Sequence, residues 1–366
     1  MSVQAESSPF VSPPFAVERQ LTGKLLSFVL TTGVEPLLAR QGAFSEDEAL
    51  ELLRTRLGFV LDDPVRVRMI RVLLDFLADC GYLREEPGGR LSWDPSATPP
   101  PGCESGERSS DDPGGLLGFF GRCLDHAPAF LRGQPPLFDF GEACTSAWEG
   151  LLGNGDFALA RAYLARLVLP RNGASPCQAL VLCYGPGFDL VEIERRGPGT
   201  VATALDFTGS FFACASARLR HADRVQWVSS AAWGGFGTPL PFDAGTFDAV
   251  LFSCADPYVP AAKREAVYRD ICRVIRPGGA LGILTRSYPD RERIEVSEPW
   301  VRRGTFCHDF LESVCLGWQG FRDAASSRRL FRDAGFTIDV VTLNGSVWRL
   351  LKQEPGAGQA TGRRER

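Results

Sequence analysis

The chain has 366 residues, 44% of them hydrophobic and 23% charged, a globular composition with room for more than one domain. Its formal net charge of -4 excludes a global basic field that would draw it to nucleic acid. No apolar run approaches a membrane span, and MSVQAESSPFVSPPF lacks the basic start and apolar block of a secretory signal, so a cytoplasmic protein with no membrane partner is expected. Eleven scattered cysteines never form CxxC and there are three histidines, which points to reduced thiols and no metal site.

Residues 1–16, rich in Ser and Pro, read as a disordered tail. From Val17 to Thr32 the spacing of Leu21, Leu25 and Val29 predicts a helix. Ser45 opens S-E-D-E, a capping box with Glu48 that starts a second helix. A third follows Pro64 on the stripe Met69, Val72, Leu73, Phe76 and Leu77, and GYLREEPGGRLSWD then predicts a hairpin around Pro87-Gly88-Gly89. Three helices and a hairpin over residues 17–95 suggest a winged helix. Arg66, Arg68 and Arg71 spread around its third helix instead of lining one narrow face, so a solvated surface is expected there and nucleic acid is not the expected partner.

Residues 96–175 form a linker and a helical connection. PSATPPPGCESGERSSDDPGG is linker by composition, and Leu159, Tyr163 and Leu167 recur at helical spacing further on. Phe140 and Trp148 either face a pocket or belong to the core. From 176 to 352 strand-like runs alternate with helical ones: Ala179–Cys183, Val201–Asp206, Phe247–Phe252 and Ala280–Thr285. This alternation predicts an α/β fold with a parallel sheet covered on both faces. Two late strands near Thr337–Leu343 and Ser346–Leu351 precede a disordered tail over 353–366.

Four motifs in order carry a resemblance. They are VLCYGPG after the first strand, ALDF ending the second, LPFDAGTFDAVLF, and RVIRPGGALGIL. A lone GxG is weak, but the four together resemble the class I S-adenosylmethionine (SAM) dependent methyltransferases. The first half resembles the winged-helix dimerisation domain of the small-molecule O-methyltransferases. The resemblance implies a Rossmann-like methyltransferase domain with an N-terminal, mainly helical winged-helix domain. It also implies SAM as cofactor, a small-molecule acceptor, and a homodimer formed through the N-terminal domain. Tyr184, Gly185 and Gly187 would form the cofactor loop, Asp206 would accept from the ribose hydroxyls, and Phe207 would lie against adenine.

The chain departs from the family at several of these positions. Cys183 stands where an acid helps hold the charged end of SAM, and a thiol beside apolar strands stays neutral. Asp189 replaces a third glycine. Ala231 takes the place of an adenine-binding acid, two residues before Trp233, which either packs on adenine or fills the core. Ser253 replaces a lysine five residues after the Asp of the FD pair. Counting from either side, the general-base histidine of the O-methyltransferases falls on Pro257. His308 is the best substitute by residue type, with Asp309 or Glu312 to orient it, and Asp256 and Tyr258 flank the lost position.

The leading expectation is a SAM-dependent methyltransferase of specialised metabolism acting on a carboxylate, a carbon acid or a hydroxyl. The alternatives are a methyltransferase fold repurposed for cyclisation or decarboxylation, and a winged-helix ligand-sensing regulator.

Overall fold

The computed structural model describes residues 15–103, 115–170, 176–196, 199–289, 298–343 and 345–353. Both expected tails, apart from their innermost residues, and the middle of the linker lie outside the described residues.

The chain opens with α1 (Ala16–Thr31), α2 (Val34–Leu38), α3 (Glu46–Leu57) and α4 (Pro64–Asp79), followed by β1 (Leu83–Glu86) and β2 (Arg90–Trp93). Leu21, Leu25, Phe28 and Val29 of α1 are buried along one stripe, as a 3.6-residue period requires. Ser45 and Glu48 cap α3 reciprocally, at 3.2 Å (Glu48 N–H to Ser45 Oγ) and 2.7 Å (Ser45 N–H to Glu48 Oε2). Asp63 caps α4 ahead of Pro64, whose fixed φ suits the first helical position. β1 and β2 pair antiparallel, Leu83 with Trp93, around Gly88 and Gly89 in the left-handed region. The short α2 was not legible in the sequence.

The three arginines of α4 have partners within the chain. Arg66 donates to the Phe130 carbonyl at 2.8 Å, Arg68 forms a two-pronged pair with Asp309, and Arg71 meets Glu46.

Three helices follow: α5 (Leu116–Leu131), α6 (Thr145–Leu152) and α7 (Gly155–Val168). On α7 the helical spacing is present, but two residues of the set Leu159, Tyr163 and Leu167 face outward. Leu159 is 73% exposed and Tyr163 is exposed, while Ala160, Leu164, Ala165 and Val168 are buried. Both sets share the helical period. The face with two alanines lies flatter on the sheet, and at Gly282 a Cβ would stand 2.6 Å from Val168 Cγ2.

The second half runs β3 (Cys177–Leu182), α8 (Phe188–Arg195), β4 (Thr200–Leu205), α9 (Phe212–Arg218), β5 (Val225–Trp227) and β6 (Phe247–Ser253). It continues with α10 (Arg264–Val274), β7 (Ile275–Leu284), β8 (Ser287–Tyr288), α11 (Pro299–Glu312), β9 (Arg322–Asp323), α12 (Ala324–Asp333), β10 (Phe336–Thr342) and β11 (Val347–Lys352). The seven-stranded sheet has the order β10-β11-β7-β6-β3-β4-β5. Its inner strands are parallel, and β11 is antiparallel to both β7 and β10. Alternate residues feed two cores. Ala179 and Val181 join the core shared with α1, α4 and α5, whereas Leu180 and Leu182 join the core on the other face. The strand order reverses at β3, which has β4 on one side and β6 on the other. The carboxyl ends of those strands open a crevice there.

α11 carries the site's second half into that crevice. It packs against α1, α4 and α5, and Cys307, His308, Phe310 and Leu311 are all buried. At Gly304 a Cβ would collide with the Glu18 side chain of α1, so glycine permits the close approach of the two helices.

Candidate active site

The crevice deepens into a cavity enclosing about 770 Å³ of empty space, its open mouth included, within the usual size range of small-molecule sites. One wall comes from the β3 loop. Cys183, Gly185 and Gly187 all have positive φ (56°, 47° and 87°), a conformation that costs a non-glycine residue about 1 kcal/mol or more. The bend aims the Gly185 N–H at Asp206 Oδ2, 2.9 Å away, and Thr208 N–H reaches Oδ1 at 3.3 Å. Burial pushes the Asp206 carboxyl up to about 6, against the pull of those backbone N–H groups. Phe207 stands edge-on to Phe140, with centroids 5.0 Å apart, and both line the cavity.

Gly187 permits a close packing contact. A Cβ there would lie 2.9 Å from Ala215 Cα, and the residue is not among those lining the cavity. Tyr184 also turns away, packing edge-on to Trp227 at 5.3 Å, because the bend points Cys183 and Gly185 inward and the residue between them outward. Ala231 is exposed on a short turn away from the cavity. Trp233 is a core residue. It donates from Nε1 to the Thr238 carbonyl at 3.1 Å and lies behind Phe236, which separates it from Phe207.

Two of the family departures are compensated. Ser253 Oγ donates to Asp189 Oδ1 at 3.0 Å, so the acid in place of a third glycine is buried under the loop and does not line the cavity. Burial raises the Asp189 carboxyl and the nearby Arg161 charge lowers it. Cys183 is not an ionic substitute for the missing acid. Burial, then the Asp206 charge, holds its thiol well above the ordinary range.

The other wall carries titratable groups from β6, β7 and α11. Pro257 lines the cavity where the resemblance places a base. Opposite it, His308 is 1% exposed, lines the cavity, and has no hydrogen-bond partner on either ring nitrogen. Its Nδ1 lies 3.7 Å from Glu312 Oε1, one helical turn on. The Tyr258 hydroxyl donates to Glu312 Oε2 at 3.4 Å. Burial, then the Arg286 charge, pushes His308 well below its ordinary value, so the ring is neutral. Burial, with Asp309 adding to it, raises the Glu312 carboxyl to about 8.

Asp309 and Asp256 are not at the cavity. Asp309 accepts from Arg68 at 2.9 and 2.5 Å, from the Tyr288 hydroxyl at 2.7 Å and from Trp318 Nε1 at 2.9 Å. It sits next to His308 on the helix and therefore points about 100° away. Asp256 accepts from the Tyr268 hydroxyl at 2.5 Å and from Arg322 at 3.0 and 3.1 Å, all behind the site. These acids anchor helices. Asp309→Asn should strip Arg68 of its counter-charge and lower stability by about 3 kcal/mol, read by urea denaturation. A large loss of turnover with unchanged stability would instead return Asp309 to the chemistry.

Residue-by-residue reading missed Arg286, which follows β7 and lines the cavity. It also missed Trp318, while Phe140 and Trp148 do line the cavity, ring planes 13° apart. The position of Arg286 at the carboxyl end of a predicted parallel strand was the available signal. Among the described residues, no group of His, Cys, Asp and Glu is placed to hold a metal ion, and no helix is long and apolar enough to cross a membrane.

A parallel sheet with a glycine bend and a buried acid at its switch point defines a doubly wound α/β protein with a nucleoside-type crevice. A family model described as a methyltransferase domain matches residues 179–279. The demethylmenaquinone methyltransferase of Lactiplantibacillus plantarum is 31% identical over 178 residues, 44% of this chain and 71% of that one. The Clavibacter sepedonicus enzyme of the same name is 30% identical over 168 residues, and this chain spans only 61% of its length. The solved DszA carbon methyltransferase has the same fold, with a TM-score of 0.59 at 18% identity over 92% of this chain and 89% of that one. The chain belongs to the class I SAM-dependent methyltransferases.

Proposed function

We propose that this protein transfers a methyl group from SAM to a small-molecule acceptor that must lose a proton, with His308 and Glu312 as the proton-accepting pair. One observation carries the reading: a neutral, buried histidine with both ring nitrogens unpartnered faces the same cavity as Asp206 and Gly185.

The residues present fit the cofactor. Asp206 is buried at a strand end with its oxygens held by backbone N–H groups alone, among them those of Gly185 and Thr208, which leaves acceptor capacity for a ribose hydroxyl. Phe207, beside Asp206 on the cavity wall, offers an apolar surface for the base. When bound, SAM supplies a methyl carbon on a sulfonium, which the acceptor's electron pair takes while the carbon–sulfur pair stays on sulfur.

The chain's own work is to position the acceptor and remove its proton. The proton goes to a His308 nitrogen, and the Glu312 carboxylate beside Nδ1 balances the imidazolium that forms. A pre-ionised carboxylate acceptor has no use for this pair, so a hydroxyl or an enolisable carbon is favoured over it. The demethylmenaquinone methyltransferases named above agree with a ring acceptor. They and the free base pair together favour methyl transfer over a repurposed, non-methylating activity.

Isothermal titration with SAM and S-adenosylhomocysteine tests the reading. Both should bind, with dissociation constants on the order of 10 µM, and labelled methyl should pass to an acceptor from a phenol and 1,3-diketone panel. Absence of binding by either nucleoside would end the proposal.

A further inference from the structure

Among the described residues that line the cavity, Arg286 is the single guanidinium or ammonium group. Its tie to the rest of the protein is loose. The guanidinium stands 3.6 Å from Glu18 Oε1 of α1, beyond hydrogen-bond length, and its side chain keeps 22% exposure. It follows β7, whereas the nucleoside acid follows β4. With β6 and β3 between them, the two residues lie three strand spacings apart, roughly 14 Å. Arg286 therefore belongs to the acceptor end of the cavity, on the side of His308 and Glu312.

The walls at that end are flat. Phe140 and Trp148 stack with centroids 5.2 Å apart, Tyr258 meets both edge-on, and Trp318 stands edge-on to Tyr258 at 5.1 Å. Such walls accept a planar ring. The polar groups beside them are a base pair that removes a proton and a cation that favours the negative charge left behind. A free amine would be repelled by Arg286, and an aliphatic alcohol would leave the aromatic faces unmatched.

We propose that Arg286 holds the ionised oxygen of the acceptor, and that the acceptor is a planar O–H acid, either a phenol or the enol of a cyclic 1,3-dicarbonyl. The inference rests on the functional reading above and deepens it. Arg286 offers N–H donors not engaged by Glu18 at hydrogen-bond length, on the side of the cavity where charge develops as the proton leaves for His308. In an aromatic-walled cavity where its side chain is mostly buried, it favours a delocalised oxyanion more than bulk water does.

The test uses a nitronaphthol whose anion absorbs in the visible, a matched nitronaphthalene without the hydroxyl, and a cyclic 1,3-diketone, all with saturating S-adenosylhomocysteine. The naphtholate should bind at least about tenfold more tightly than the nitronaphthalene, and the bound naphthol should be about tenfold more acidic than the free one. Arg286→Met should erase both differences and leave the S-adenosylhomocysteine affinity unchanged, and Arg286→Lys should keep part of each. Whichever of the naphthol and the diketone binds in the Arg286-dependent manner names the class.

Binding of neither the naphthol nor the diketone, or of neither in an Arg286-dependent manner, with the naphthol showing equal affinity to the nitronaphthalene or an unshifted titration, overturns the proposal. So does a weakened S-adenosylhomocysteine affinity in Arg286→Met, which would assign the guanidinium to the cofactor's carboxylate. The first comparisons need only the wild-type protein, so a variant that fails to fold leaves them decisive. Failure of S-adenosylhomocysteine to bind the wild type counts against the functional reading alone, since the probe titrations can be repeated without it.

Discussion

Asp206→Asn is expected to weaken SAM and S-adenosylhomocysteine binding about 100-fold while making the unliganded protein more stable. The carboxylate's remaining acceptor capacity is the proposed ribose contact, and hydrogen bonds to a charged acceptor contribute about 1.5–3 kcal/mol each. The stability gain follows from linkage. Burial raises the folded-state value to about 6 from 3.8, so the folded chain holds its proton more tightly than the unfolded chain does. Stability from this group therefore falls as pH rises from about 4 to about 6, and the cost persists above that range. Asparagine carries no such charge. At pH 7.5 the variant should gain about 2 kcal/mol in urea denaturation, and the gain should vanish below pH 4. Unchanged nucleoside affinity would remove Asp206 from the site, whatever the stability did. A gain in stability joined to a loss of binding is the usual mark of a strained functional residue.

The second large effect concerns Glu312. Its carboxyl titrates near 8, so it is mostly protonated at neutral pH and cannot balance an imidazolium on His308. The groups facing it are His308 and Tyr258 by contact, with Arg286 and Asp309 acting through charge. As pH rises through 8 the carboxylate forms, and kcat/KM should climb about tenfold per pH unit below that point and level off above it. Glu312→Gln should abolish the limb and lower the plateau by about 10²–10³-fold. His308→Asn should lower the rate by a similar factor. The double variant should be little worse than either single one, because the two residues act as a unit. A flat wild-type profile between pH 6 and 9, with Glu312→Gln nearly as fast, would show that the pair takes no proton.

The residues that were legible are those whose role is local. Gly185 and Asp206 sit at strand ends separated by one helix, and a parallel pairing of β3 with β4 brings their carboxyl ends together. Ser45 and Glu48 cap a helix across a single turn. The residues misread are those whose partners lie far away in the chain. Asp309 looked available beside a histidine, yet its partner Arg68 is 241 positions earlier. Asp256 flanks the lost base position but is taken by Arg322, 66 positions later. Trp233 and Tyr184 are aromatic and adjacent to the site in sequence, and only the direction of a turn decides that they face away.

The sequence by itself determined the alternation of strands and helices, the glycine bend and the acid at the end of the second strand. Each of these depends on hydrophobic period or on residue type at a strand end, and both are properties of neighbouring residues. Tertiary structure alone decided which face of α7 is buried and which carboxylates are spent on arginines. It also decided that His308 lines the same cavity as Asp206 with no hydrogen bond to either ring nitrogen. The reason is that burial and charge pairing depend on distances in space, and α11 reaches the crevice only by packing against helices from the other end of the chain.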